Sequence, residues 1–169
     1  MPLPWPSPAF KSSCQETLFS LGKVSQDCFK LVCRALGMKK EGFERYIAHS
    51  LSPVRHLDKL STSSVVEMFR YLCPSRASGA SPRPFYRVQC AEHSDVSLFT
   101  LIPAPRCYPG LQMYNWGESG WQAVEEQVLD ARECIIFPGE MLSHISNNFI
   151  CATPHRVVVL YIPSPWFLC

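Results

Sequence analysis

The sequence predicts a mainly β protein with flanking helices, an α+β fold whose strands form a sandwich or barrel. Three observations carry this reading. Apolar residues recur at three- and four-residue steps over 14–37, the period of a helix with one buried face. From Phe85 onward, short β-type runs follow one another at close spacing, and no helix is expected between them. Gly, Pro and Asn punctuate the gaps between those runs.

Taken in order, residues 1–13 are proline-rich and are expected to be poorly ordered. A long helix follows, with Leu18, Leu21, Val24, Cys28, Leu31, Val32, Ala35 and Leu36 as its apolar stripe and Gly37 as its stop. A second, short helix is expected over 39–49, with Phe43, Tyr46 and Ile47 on one side. Together these make a helical support region, 14–60, whose task is to cover a sheet. The β domain then spans 61–169. Its first strand is expected over 65–72, and 73–84 is a loop with Pro74, Gly79, Pro82 and Pro84. Further strands are expected over 85–89, 96–102, 111–114, 122–124, 134–137 and 156–162. Pro109-Gly110, 117–120, 138–140 and Asn147-Asn148 supply the turns, so Gly110, Gly120 and Gly139 read as turn glycines.

Composition narrows the function classes. A net charge of +2 with 18% charged residues and no basic stripe leaves no footprint for nucleic acid or anionic lipid. The nine cysteines are odd in number and contain no Cys-x-x-Cys pair, which points to reduced thiols rather than a disulfide framework or a thiolate zinc site. Residues 1–6 lack the basic and apolar regions of a signal peptide. No apolar stretch reaches the length of a membrane span. The expectation is a cytoplasmic protein without a membrane or nucleic-acid partner; oligomeric state is not legible.

The chemistry-bearing feature is His93-Ser94-Asp95, with His155 some sixty residues later. Residues i and i+2 of a strand point to the same face, so His93 and Asp95 are expected to reach one ion from one strand. Two imidazoles and one carboxylate are the ligand set of a mononuclear iron(II) site with open positions. A lone His-x-Asp arises often by chance; its neighbours give it weight.

Residues 91–101 read Ala-Glu-His-Ser-Asp-Val-Ser-Leu-Phe-Thr-Leu, 110–112 Gly-Leu-Gln, and 120–121 Gly-Trp. Residues 138–148 read Pro-Gly-Glu-Met-Leu-Ser-His-Ile-Ser-Asn-Asn, and 151–157 Cys-Ala-Thr-Pro-His-Arg-Val. In this order the strings resemble the C-terminal catalytic half of the Fe(II)/2-oxoglutarate-dependent dioxygenases. The branch is that of isopenicillin N synthase and the plant flavonoid, gibberellin and ethylene-forming oxygenases. The resemblance spans roughly 14–160 and is strongest over 92–157.

It implies a double-stranded β-helix, or jelly-roll barrel, with the long helix packed along it and iron at one open end. His93, Asp95 and His155 match the metal ligands. Fe(II), 2-oxoglutarate and dioxygen are the implied cofactor and cosubstrates, and the implied reaction is hydroxylation, desaturation or ring closure of a small organic molecule. Tyr71 matches a tyrosine that donates a hydrogen bond to 2-oxoglutarate. Leu98 is expected to face the same pocket, with its strand neighbour Phe99 facing outward. His49, His56 and His144 are expected to be structural or solvated, Cys151 to be a buried thiol, and Trp116 and Trp121 to pack a hairpin.

The chain departs from the family beyond His155. The Arg-x-Ser that anchors the far carboxylate of 2-oxoglutarate should lie about ten residues on, where Pro165 stands. Arg156 adjoins a ligand and should point to the opposite face. The expectation is therefore a barrel missing its last strand or strands. Two alternatives follow: an inactive barrel that keeps a metal site or serves as an interaction module, and an oxidase using the iron without 2-oxoglutarate.

Overall fold

The computed structural model describes residues 5–39, 85–103, 110–127 and 132–161, with 41, 65, 67, 69 and 130 as single positions. The chain divides into two units, 1–69 and 70–169, and each is described by itself.

The first unit contains the long helix α1 (Pro8–Ala35), which starts earlier than expected. Ser7 caps it by accepting a hydrogen bond from the Phe10 amide at 3.1 Å, and Pro8 takes the first helical position, where a missing N–H costs nothing. The prolines near the N-terminus thus include a helix start. At the other end Gly37, at φ +69°, closes a Schellman motif. Its amide donates to Arg34 at 3.0 Å and that of Met38 to Cys33 at 2.9 Å. Cys14, Leu18, Phe29 and Cys33 form the buried stripe. Val24, Leu31 and Ala35 were expected in it and are exposed. At about 100° per residue all three lie more than a quarter-turn from Leu18, whereas Phe29, three turns on, returns to its face. The helix expected over 39–49 lies outside the described residues apart from Lys39 and Glu41.

In the second unit all six β-type runs from Phe85 onward are strands. They are β1 (Phe85–His93), β2 (Phe99–Pro103), β3 (Leu111–Asn115), β4 (Gly120–Ala123), β5 (Cys134–Pro138) and β6 (His155–Tyr161). Every pairing is antiparallel, in a four-stranded sheet of order β1-β6-β3-β4 and a two-stranded sheet of β2 and β5. No closed barrel is formed among the described residues. Residues 65, 67 and 69 have no regular structure, so the strand expected over 65–72 is not found at these positions; its remainder lies outside the described residues.

Two elements interrupt what was expected to be all strand. A 3-10 turn (Glu125–Gln127) follows β4, and a short helix, α2 (Glu140–Ile145), follows β5 where a turn had been expected. Both fasten strands. Glu125 accepts from the amides of Gly110 and Leu111, fixing the entry to β3. Leu142 of α2 is buried, as are Leu111, Phe137 and Val158. Gly110 lies so close to β6 that a Cβ there would meet the Val158 carbonyl oxygen at 2.5 Å.

Candidate metal centre

Antiparallel pairing of β1 with β6 sets His93 directly opposite His155, with ring centroids 4.3 Å apart. The pairing is irregular between Val88 and Cys90 and again between Cys90 and His93. These bulges re-aim the end of the strand, as bulges beside functional sites commonly do. β1 stops at His93, so Asp95 is not on the strand and the same-face argument for His-x-Asp does not apply. Asp95 sits in irregular backbone between the strand end and a bend over 96–98, and from there its carboxylate reaches both rings.

The result is convergent. Asp95 Oδ1 lies 3.5 Å from His93 Nε2 and 3.6 Å from His155 Nε2. One ligand atom from each of the three residues falls within 4.8 Å of the others, so the cluster can hold a metal ion. Donors about 2.1 Å from an ion and at right angles about it stand about 3 Å apart, so each Asp95–imidazole gap, at 3.5 and 3.6 Å, needs about half an ångström of closure, and the two imidazoles draw in further within the 4.8 Å that spans the cluster.

The other ring nitrogens are tied back to the chain. His93 Nδ1 meets the Ala91 carbonyl at 2.8 Å, and His155 Nδ1 meets that of Thr153 at 3.1 Å. A carbonyl only accepts, so each Nδ1 carries the proton and donates it. In the neutral ring this leaves each Nε2 with its lone pair toward the cluster, the tautomer a metal requires.

Asp95 is held just as firmly. Its Oδ2 accepts from the Thr100 hydroxyl, and Ser97 Oγ lies 3.1 Å from that hydroxyl. Backbone amides at the start of α2 grip the same segment: Glu140 donates to Asp95 O at 2.7 Å, Met141 to Ser97 O at 3.3 Å and Gly139 to Leu98 O at 3.0 Å. Gly139 is required there. A Cβ would meet the Ser97 carbonyl oxygen at 2.2 Å and that of Asp95 at 2.7 Å. Gly139 is thus more than the turn glycine the sequence suggested. Ser97, Thr100 and Gly139 were not singled out for the site; a hydroxyl five residues past the carboxylate was the available signal.

The centre is buried on one side only. His155 is 6% exposed and packs on Phe137, with centroids 4.8 Å apart, whereas the His93 side chain is 42% exposed. Met113, the cross-strand partner of His155, borders an open groove of about 550 Å³ that is also lined by Val124, Gln127, Glu133 and Ile135.

The remaining candidates separate cleanly. Arg156 lies over the Trp121 ring at 4.2 Å and donates to Gln112 Oε1 at 2.9 Å, away from the cluster. Trp121 and Trp116 both pack edge-on against Tyr114, as hairpin residues. Leu98 is half-buried in the bend before β2, so strand alternation does not fix its direction. Tyr71, His49 and His56 lie outside the described residues. His144 is exposed, and so is Cys151, which had been expected to be buried.

No protein-family model matches the chain, and no curated protein matches it. Among solved structures it is similar to a provisionally assigned oxygenase from Shewanella oneidensis, at 31% identity and a TM-score of 0.37. The likeness covers 46% of this chain and 26% of that one, about a quarter of the other protein's length. An overlap of that extent defines no common fold, and the metal centre stands on its own geometry.

Proposed function

We propose that His93, Asp95 and His155 hold a ferrous ion and that the chain is a dioxygen-dependent oxidoreductase acting on a small organic molecule. The observation that carries this reading is the convergence of two Nε2 atoms and one carboxylate oxygen, with both Nδ1 atoms turned to backbone carbonyls. Neutral imidazoles and a carboxylate suit Fe(II), and three protein ligands leave positions open. When bound, the ion supplies the redox chemistry that activates dioxygen. The protein's part is to hold the donors, shield the His155 side with Phe137 and leave the His93 side open to substrate.

The finer reading is a double-stranded β-helix in which substrate oxidation is coupled to decarboxylation of 2-oxoglutarate. Support for the fold comes from strand order: the chain crosses repeatedly between the two sheets, and Phe137 of β5 packs on His155 of β6. In the coupled reaction carbon dioxide is lost, one oxygen atom of dioxygen would enter succinate, and the other would enter a hydroxylated substrate or leave as water on desaturation or ring closure. Two electrons come from the broken carbon–carbon bond and two from the substrate. Arg156 faces away from the cluster and does not fit the role of carboxylate anchor, so no step is derived through 2-oxoglutarate. That orientation favours the second reading, a metal-binding domain without turnover.

Anaerobic titration with Fe(II), then 2-oxoglutarate, separates these. A visible charge-transfer band, followed by succinate on admitting oxygen, is the result expected of the coupled enzyme. Metal binding without the band or succinate selects the second reading, or an oxidase if substrate still consumes oxygen. Failure of the intact chain to bind Fe(II) would sink both.

A further inference from the structure

We infer that Thr100, itself steadied by Ser97, confines Asp95 to a single metal-facing oxygen and so sets how many positions on the ion stay open. The inference rests on the metal-centre reading above and adds a positioning role for two hydroxyls. The two oxygens of Asp95 have separate tasks. Oδ1 lies within 3.6 Å of both Nε2 atoms, while Oδ2 is taken by Thr100. An ionised carboxylate only accepts, so the Thr100 hydroxyl must donate. Its own lone pairs are then free to accept, and Ser97 Oγ sits 3.1 Å away as the donor. The direction of the relay is therefore fixed: Ser97 to Thr100 to Asp95.

The relay has a rigid footing. Thr100 lies in β2 directly opposite Phe137 of β5, and the Phe137 ring packs on His155. One cross-strand pair thus steadies the carboxylate through one member and a ligand imidazole through the other. Thr100 is half-buried, and charge-assisted hydrogen bonds of this kind are stronger than neutral ones. With Oδ2 so held, the carboxylate cannot rotate to chelate. A six-coordinate ion then keeps three open positions rather than two. Three is the number needed to seat a chelating cosubstrate and dioxygen together.

The test uses the full chain with Mn(II) as probe, its affinity read by electron paramagnetic resonance and its bound waters counted from line broadening in oxygen-17 water. The intact chain is expected to hold Mn(II) with about three waters. Thr100→Val is expected to weaken binding roughly 10- to 100-fold, as loss of a group orienting a ligand does, and to remove about one water. Thr100→Ser is expected to restore both. Unchanged affinity with an unchanged water count in Thr100→Val overturns the inference while leaving the metal centre standing. Absence of Mn(II) binding by the intact chain overturns the metal centre itself. If Thr100→Val does not fold, Ser97→Ala takes its place: one step further from the ion, it is expected to lower affinity by less than the roughly 10- to 100-fold of a group that orients a ligand directly, and no loss overturns the proposal.

Discussion

At the scale of single residues the two histidines are not equivalent. His155 is packed against Phe137, and its Nε2 has nowhere else to turn. His155→Ala is expected to lower Fe(II) affinity by at least about 100-fold, because a removed donor costs more than the 10- to 100-fold of a lost orienting group; direct titration checks it. Cysteines provide a second, independent reading of burial. Burial pushes the Cys33 thiol above its ordinary value of 9.0, while Cys151 is exposed. Iodoacetamide should label Cys151 first and Cys33 last among the described cysteines, with mass spectrometry locating the adducts. A raised pKa keeps the folded thiol neutral where the unfolded one ionises, so its contribution is full below pH 9 and is lost as pH rises through the raised value. Urea midpoints at pH 8 and pH 10 should show the fall.

At the scale of elements, α2 links packing to chemistry. Leu142 anchors it, and its first amides hold the carbonyls of the segment that carries Asp95. Leu142→Ala is expected to cost about 2–5 kcal/mol in a urea melt. Gly139→Ala should cost about 1–3 kcal/mol and weaken metal binding as well, because its methyl would press on the Asp95 and Ser97 carbonyls; comparing the two variants by melt and by titration checks this. Such coupling was not legible beforehand. A six-residue helix is too short to show a period, and Pro138-Gly139-Glu140 has the composition of a turn. Strands were legible because alternating apolar runs between glycines and prolines have few other uses. The start of α1 was written plainly as Ser7-Pro8 but was masked by the surrounding prolines. His93, Asp95 and His155 stood out as a motif, but strand alternation is not what joins the first two. β1 is bulged and ends at His93, and Asp95 reaches the rings from the irregular backbone beyond it.

Across the whole molecule, no helix among the described residues is long and apolar enough to cross a membrane. A metal ion bound only by the folded form would join the end of β1 and the residues just after it to β6, some sixty residues on. Free metal at 100 times its dissociation constant should add about 2.7 kcal/mol to stability. For a chain of this size that is roughly 5–10 °C in melting temperature. Differential scanning calorimetry with Mn(II), then with a chelator, should show the gain and its reversal, and Asp95→Ala should show neither. The uneven shelter of the two imidazoles has a kinetic consequence. Both rings are tethered, but only His93 is open to water, so an ion held here would exchange from the His93 side. Bulkier side chains at the exposed neighbours Ala91 and Glu92 would shade that ring and lengthen the ion's residence without altering any atom that touches it.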